Sequence, residues 1–283
     1  MRVVAVFNHK GGVGKTTSVA NLGAALARMG KRVLMVDADP QACLTVHFGI
    51  DPETAEGTIY DVMVRNLDLS DAVRPCPDEE RLWLLPSSLD LAGAELELAT
   101  AMGRERLMRD ALDNYLVDHR DLDYVLTDCP PSLGLLTVNA LAASEEVFVP
   151  LQTEYLALRG VGKLVELVNL VRRRLNPSLQ ITGILPTLSR TGTILAREVQ
   201  EEIERFFGPK VFRSRIRNNV RLAEAPGHGK SIFAYAPSSK GAEDYLALAA
   251  EVDAMQAIGR RLPEPEPTID LDTLMGGAES ASA

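Results

Sequence analysis

A glycine-rich loop between an apolar strand and a helix is the feature of this sequence that most limits its fold. Residues 9–17 read His-Lys-Gly-Gly-Val-Gly-Lys-Thr-Thr. They follow the β-branched apolar run 3–7 and lead into the helically spaced segment 16–29. Glycines let a backbone wrap closely around an anion with its N–H groups turned inward, and the helix adds its positive N-terminal end. The loop therefore predicts a phosphate-binding site.

Strands and helices alternate along the rest of the chain. Short apolar runs predict further strands at 32–36, 82–85, 124–127, 147–149 and 181–185. Helical spacing predicts helices at 104–116, 133–143, 158–175, 194–207 and 242–258, while residues 50–80 fit short helices and loops. Strands separated by helices of this length indicate an α/β fold, a mostly parallel twisted sheet with helices on both faces.

One domain over residues 1–260 and a tail over residues 261–283 are the expected organisation. With 283 residues, 46% of them hydrophobic, the chain can bury a sizeable core. The tail is rich in Pro and Glu and then in Gly, Ala and Ser, so we expect it to be disordered. No apolar run has the roughly 18 residues of a membrane span, and three scattered cysteines favour a cytoplasmic protein.

Four residues of the loop and the strand ends carry the predicted chemistry. Lys15 can reach the β- and γ-phosphates, and the hydroxyl of Thr16 can ligate Mg²⁺. Asp39 lies in the segment 37–41 that ends the second predicted strand, and Asp128 ends the strand predicted at 124–127. Carboxylates at such strand ends can hold Mg²⁺ through water and orient an attacking water. Either acid alone would more often be a solvated loop residue or a helix cap. The predicted nucleotide-binding residues of the loop are Lys10, Gly11, Gly12, Val13, Gly14, Lys15, Thr16 and Thr17.

The loop departs from the common Gly-x-x-x-x-Gly-Lys-Thr pattern, because His9 stands where the first glycine would be and Lys10 adds a second lysine. This is the pattern of the deviant P-loop NTPases. Residues 128–132 read Asp-Cys-Pro-Pro-Ser, 152–158 read Gln-Thr-Glu-Tyr-Leu-Ala-Leu and 220–226 read Val-Arg-Leu-Ala-Glu-Ala-Pro. With these motifs the chain resembles the ParA/Soj partition ATPases over roughly residues 2–258.

That resemblance implies a cytoplasmic, nucleoid-associated ATPase that uses ATP and Mg²⁺ and forms an ATP-dependent sandwich dimer. It also implies binding to duplex DNA without sequence preference, and a ParB-like partner that stimulates hydrolysis and supplies a chromosome or plasmid as cargo. Carried over by position, Lys10 crosses the dimer interface to the partner's nucleotide and Asp39 activates water. Asp128 is the second acid near Mg²⁺, and Asn219 lies near the adenine.

A basic segment is the candidate DNA contact. The net charge is −9, yet residues 205–221 hold six basic residues and no acid. If this segment is extended, Arg213, Arg215 and Arg217 share one face, and Arg221 follows. The alternative is a solvated edge strand whose charges prevent edge pairing. Because aromatic residues are only 5% of the chain, a single-strand binder that stacks bases is disfavoured.

Other functions compete with this interpretation. A MinD-type membrane-positioning ATPase would need a basic amphipathic C-terminal helix, whereas this chain ends acidic and rich in proline. An iron–sulfur relative would need a second cysteine suitably placed to act with Cys129. A ParA-type ATPase that positions a chemoreceptor array or a microcompartment, and a DNA-binding module in which hydrolysis is incidental, remain open. ATP turnover measured with and without DNA and partner protein distinguishes the last of these.

The second loop lysine gives the first testable prediction. Lys10→Ala should weaken ATP-driven dimerisation more than it weakens ATP binding by the monomer, because Lys10 is expected to neutralise charge on the other subunit's nucleotide. Size-exclusion chromatography with ATP and a nucleotide-binding titration measure the two effects. Equal losses in both assays would show that Lys10 acts within its own subunit.

Overall fold

The order of the strands in the sheet decides which segments of the chain meet. The computed structural model describes residues 1–152, 157–189, 194–256, 258 and 260. Within them the strands are β1 (Arg2–Val6), β2 (Val33–Asp37), β3 (Arg74–Pro75), β4 (Leu82–Leu85), β5 (Tyr124–Asp128), β6 (Glu146–Gln152) and β7 (Gln180–Thr187). They form one sheet in the order β3-β4-β2-β5-β1-β6-β7. Only the β3–β4 pair is antiparallel among these strands.

Helices connect these strands. They are α1 (Lys15–Arg28), α2 (Cys43–His47), α3 (Ile59–Arg65), α4 (Leu69–Ala72), α5 (Ala94–Glu97), α6 (Leu107–Asp118), α7 (Leu135–Ala142), α8 (Ala157–Arg174), α9 (Ile194–Phe207), α10 (Val220–Glu224), α11 (Ile232–Tyr235) and α12 (Lys240–Ala254). Short 3₁₀ turns lie at Leu89–Ala92, Leu98–Thr100, Gly208–Lys210 and Ala225–His228. None of the helices in the described part of the chain is long and apolar enough to cross a membrane.

The predicted α/β class is confirmed, with differences at element ends. Strand 82–85 and helix 194–207 have the predicted bounds. The last helix, predicted to reach residue 258, ends at Ala254, because Met255 turns to an extended backbone. No apolar run marks β3, a two-residue edge strand that includes a proline. The predicted tail, residues 261–283, lies outside the described residues.

Two hydrophobic cores cover the two faces of the sheet. Along β1, Val3 and Ala5 enter one core, and Val4 and Val6 enter the other. Helices α3, α6, α7 and α8 pack into the first core, and α1 and α12 supply most of the helical residues of the second. A central strand buried on both faces reads as a continuous apolar run, which is why these strands are visible in the sequence.

A buried ion pair ties together the edge of the sheet where the strands begin. The guanidinium of Arg2 donates to both carboxylate oxygens of Glu146, at 2.8 and 2.6 Å, and to the carbonyl of Val252 near the end of α12. Thr182 donates a further hydrogen bond of 2.8 Å to Glu146. Pairing and hydrogen bonding of this kind offset the desolvation of a buried charge.

The parallel register brings the predicted site residues together at the carboxyl ends of the strands. Asp128, the last residue of β5, lies opposite Val6 of β1 on one side and Asp37 of β2 on the other. The chain leaves β1 into the glycine-rich loop and leaves β2 into the segment that carries Asp39. The three segments therefore meet at the carboxyl ends of adjacent strands, where open α/β sheets bind ligands.

Two glycines in helix interiors provide a matched test of the packing. A Cβ at Gly23 in α1 would stand 2.8 Å from Met35 Sδ and 3.3 Å from Leu82 Cδ1. Gly23→Ala should therefore lower the free energy of unfolding by about 1–3 kcal/mol. A Cβ at Gly162 in α8 would meet no described atom within 4 Å, so Gly162→Ala should raise the free energy of unfolding by up to about 1 kcal/mol. Urea denaturation measures both, and equal stabilisation would contradict the tight α1–sheet contact.

Candidate functional site

The glycine-rich loop has the backbone that an anion cradle requires. Gly12 and Gly14 have φ values of 71° and 87°, in the left-handed region where a side chain is strained. No described atom lies within 4 Å of the place that a Cβ would occupy at Gly11 or Gly12. The loop therefore leaves open space on its surface, which a side chain at either position would enter.

Side chains from neighbouring strand ends hold the loop. Asn8 donates to the carbonyl of Pro150 at 2.8 Å and accepts the backbone N–H of Lys10 at 3.0 Å. The amide of Gln152 donates to the carbonyl of Gly12 at 3.1 Å, and its oxygen accepts from Nζ of Lys10 at 2.9 Å. Lys10 thus lies at the outer side of the loop, at the end of β6.

Lys15 lies inside the loop. It is buried, and its Nζ donates to the carbonyl of Lys10 at 3.4 Å. The hydroxyl of Thr187 at the end of β7 donates to the carbonyl of Val13 at 2.8 Å. Sequence analysis missed Asn8 and Thr187 as supports, because their contacts lie 142 and 174 residues away along the chain.

Asp128 is a buried carboxylate with only one of its two oxygens hydrogen-bonded among the described residues. Its Oδ2 accepts the hydroxyl of Thr16 at 2.6 Å, while Oδ1 has no hydrogen-bond partner among the described residues. Burial first, and then the charge of Asp37, raise the pKa of Asp128 well above its usual range, while Thr16 and Lys15 act in the opposite direction. A divalent cation beside Thr16 would relieve this repulsion.

The donor set fits Mg²⁺ held mainly by a ligand and water. No group of three or more His, Cys, Asp or Glu side chains in the described ranges is arranged to hold a metal on its own. A hydroxyl ligand with carboxylates nearby matches the way Mg²⁺ binds beside substrate phosphates, where it keeps several waters.

Asp37 and Asp39 have different surroundings, which the strand-end pattern alone did not reveal. Asp37 is fully buried: its Oδ2 accepts the N–H and hydroxyl of Thr45 at 2.8 and 2.7 Å, and Oδ1 accepts the N–H of Asp39 at 3.2 Å. Burial raises the pKa of Asp37 to about 6. Within the described residues, one hydrogen bond is found for the carboxylate of Asp39, which accepts the N–H of Gln41 at 2.9 Å. Asp37 is therefore an internal support and Asp39 is available for a ligand.

Two adjoining cavities open beside the loop. The larger, of about 500 Å³, combines Gly12 and residues 14–17 with Val46, Leu188 and Pro226 in its lining. The smaller, of about 130 Å³, shares Gly14, Thr17 and Leu188 with it and is also lined by Asn219 and Tyr245. The predicted adenine residue thus lies next to the predicted phosphate loop.

Asn219 also begins a helix, since its Oδ1 accepts the N–H of Arg221 at 2.9 Å as the N-cap of α10. Tyr245, on α12, has its hydroxyl 3.2 Å from that of Ser18 on α1. No motif included Tyr245 or Leu188, and Pro226 ends the motif 220–226 without being assigned a role, because the proximity of these residues to the loop is set by tertiary packing.

The basic segment is extended but adds no full strand to the sheet. It makes isolated parallel bridges from Val211 to Ile184 and from Arg217 to Ser189. Phe212 and Ile216 are buried, whereas Arg213 and Arg215 are exposed. The alternation expected of an extended chain is therefore present. Arg190, part of an Arg-Thr pair near the position of a similar pair in ParA/Soj proteins, lies outside the described residues.

The expectation that no acid compensates this segment is wrong. Arg217 donates to both carboxylate oxygens of Asp244, at 2.6 to 3.1 Å, and pairs with Glu243 at 3.2 Å. Arg221 pairs with Glu224 at 2.8 Å. Glu243 and Asp244 belong to α12, more than 20 residues further along the chain, so local composition could not reveal them. Arg217 is therefore engaged in holding its segment against α12.

Comparison with known proteins identifies the family. A family model described as an AAA domain matches residues 1–181. The sporulation initiation inhibitor protein Soj of Bacillus subtilis is 47% identical over 253 residues, which are 89% of this chain and 98% of that protein. The chain belongs to the ParA/Soj family of partition ATPases. The chromosome partitioning protein ParA of Myxococcus xanthus is 43% identical over 89% of this chain and 87% of its own length.

Solved structures support the predicted fold. A Mycobacterium smegmatis protein described as cobyrinic acid a,c-diamide synthase, crystallised with an ATP analogue and magnesium, superposes with a TM-score of 0.79 and 39% identity over 93% of this chain and 98% of its own. The cell division ATPase MinD of Pyrococcus furiosus gives a TM-score of 0.72 and 26% identity over 89% and 98%. The predicted deviant P-loop fold is therefore confirmed.

The Arg217–Asp244 contact can be tested as a structural pair. Arg217→Gln and Asp244→Asn should each lower the free energy of unfolding, and the loss in the double variant should be smaller than their sum by about 1 kcal/mol or more. Arg213→Gln, which changes an exposed side chain, should stay within about 0.5 kcal/mol of the parent protein. Urea denaturation gives all four values, and strict additivity of the pair would disprove the structural role.

Proposed function

We propose that this protein is an ATP-hydrolysing switch for DNA segregation, built as one domain over residues 1–260. It binds ATP with Mg²⁺, dimerises in that state, binds duplex DNA without sequence preference and responds to a ParB-like partner. The observation that carries the proposal is the Thr16–Asp128 hydrogen bond beneath the glycine-rich loop, with Lys15 inside the loop and Asp39 at the next strand end. The relatives named for chromosome partitioning favour a chromosome or plasmid as cargo.

The site residues divide the work of phosphoryl transfer to water. The loop N–H groups and Lys15 bind the phosphates and neutralise their charge. Thr16 holds Mg²⁺ with Asp128 behind it, and the bound ion supplies further charge neutralisation at the γ-phosphate. Asp39 accepts a hydrogen bond from the attacking water and orients it. Lys10 meets the nucleotide of the second subunit, and Asn219 contacts the adenine.

DNA binding in this proposal centres on the exposed arginines. Arg213 and Arg215 are exposed on the segment beside β7, with Glu204 3.9 Å from Arg215, and Arg221, which pairs with Glu224 on the surface, lies further along on α10. Arg217, which sequence analysis included, supports them through Asp244. One protomer offers few phosphate contacts, and a dimer doubles them on one body, so ATP controls DNA affinity through oligomeric state. A protein of this kind works in the cytoplasm on the nucleoid.

Binding and hydrolysis should separate in two variants. Asp39→Ala should still bind ATP, because Lys15 and the loop amides are intact, and should persist as an ATP-bound dimer. Lys15→Ala should lose nucleotide affinity itself. Size-exclusion chromatography with ATP, together with phosphate release, tests both. An Asp39→Ala protein that stays monomeric, or that hydrolyses ATP at the parental rate, would contradict the role of Asp39.

DNA binding should depend on Arg213 and Arg215. Removal of one cationic side chain that binds a phosphate should reduce the magnitude of the log–log salt slope by about 0.9. Arg213→Gln and Arg215→Gln should therefore flatten the slope for random duplex DNA with ATP, while ATP-dependent dimerisation is unchanged. Arg120→Gln is the matched control, an exposed arginine just after the end of α6. A double variant with the parental slope would place the DNA surface elsewhere.

A further inference from the structure

Ser87 is a buried side chain that no motif or role described above includes. It follows β4 in the segment that leads to the Leu89–Ala92 turn and has 0% exposure. Its hydroxyl donates to the backbone carbonyl of Asp39 at 2.9 Å, and its N–H donates to the hydroxyl of Thr45 at 2.8 Å. The end of β4 thus contacts the proposed catalytic segment that follows β2.

These bonds close a network around the backbone of Asp39. Asp37 accepts the N–H of Asp39 on one side, and Ser87 donates to its carbonyl on the other, where the backbone N–H of Ala42 donates as well, at 2.9 Å. Thr45 links the two supports, since it donates to Asp37 through its N–H and hydroxyl and accepts the N–H of Ser87. The peptide groups before and after the Asp39 Cα are therefore both fixed.

The network matters because the Asp39 side chain has little other support. Its carboxylate accepts one N–H, that of Gln41 in the same loop, among the bonds found in the described chain. The direction of the side chain therefore follows from its backbone. A group that orients water must be held within about 0.5 Å, and a displacement of about 1 Å can cost 100-fold in rate.

We propose that Ser87 is a positioning residue for hydrolysis: through the carbonyl of Asp39 it fixes the carboxylate that orients the attacking water. The inference rests on the proposed function. It assigns the segment after β4 to the catalytic machinery, although none of the sequence motifs lies in that segment. Ser87 has no contact with nucleotide in this role and contributes nothing to ATP affinity.

The next residue is a matched control. Ser88 is also buried, with 6% exposure, but its hydroxyl lies 3.4 Å from that of Thr58, and the hydrogen bonds found in the described part of the chain do not join it to the Asp39 network. Ser87→Ala and Ser88→Ala remove the same atom from adjacent buried positions. A general effect of losing a buried hydroxyl appears in both variants, whereas a positioning effect appears only in the first.

The experiment compares single-turnover hydrolysis, ATP affinity and urea midpoints for the parent, Ser87→Ala and Ser88→Ala. We expect Ser87→Ala to lose about 10- to 100-fold in hydrolysis rate, to bind ATP within about twofold of the parent and to persist as an ATP-bound dimer. Ser88→Ala should keep the parental rate. On an Asp39→Ala background, Ser87→Ala should cause no further loss of rate.

Several results would overturn the inference: equal rate losses in the two serine variants, a loss of ATP affinity at a constant rate, or additive losses with Asp39→Ala. If Ser87→Ala does not fold, Ser87→Cys keeps the branching of the side chain and supplies a larger atom that is a weaker donor. That variant should then show an intermediate rate, and a parental rate would overturn the proposal. Failure of the parent itself to hydrolyse ATP with DNA and partner would refute the proposed function and this inference together, whereas the other results concern Ser87 alone.

Discussion

Repulsion among three carboxylates at one edge of the sheet is the constraint on which the rest of the site depends. Asp37 and Asp128 end adjacent strands in register and are both fully buried, and Asp39 follows two residues later. Buried carboxylates of like charge are tolerated only where donors or cations face them. Thr45, Thr16 and Lys15 provide that compensation, and each comes from a segment packed against the strand ends. The glycine-rich loop and the acids are therefore one electrostatic unit.

Much of the fold was predictable because its signals are local. Strands buried on both faces read as apolar runs, and the loop residues 9–17 carry their chemistry in consecutive positions. The strand-end pattern alone does not separate Asp37 from Asp39, because both lie at the end of the same strand; it was the ParA/Soj resemblance that selected Asp39. The difference is made by Thr45 and Ser87, which reach the two acids across 8 and 48 residues. For the same reason, the acids of α12 that pair with the basic segment could not be found from the sequence, since they lie more than 20 residues further along the chain.

Helix α12 carries two adjacent residues that face different parts of the molecule. Tyr245 meets Ser18 on the helix that follows the glycine-rich loop and lines the smaller cavity, while Asp244 holds Arg217 of the basic segment. The helix thus contacts both the smaller cavity and the basic segment. Its hold on the basic segment is made at several points, since Glu243 pairs with Arg217 as well and Glu251 accepts the N–H groups of Arg213 and Ser214. One helix is therefore a common wall of the cavity beside the glycine-rich loop and the support of the exposed arginines.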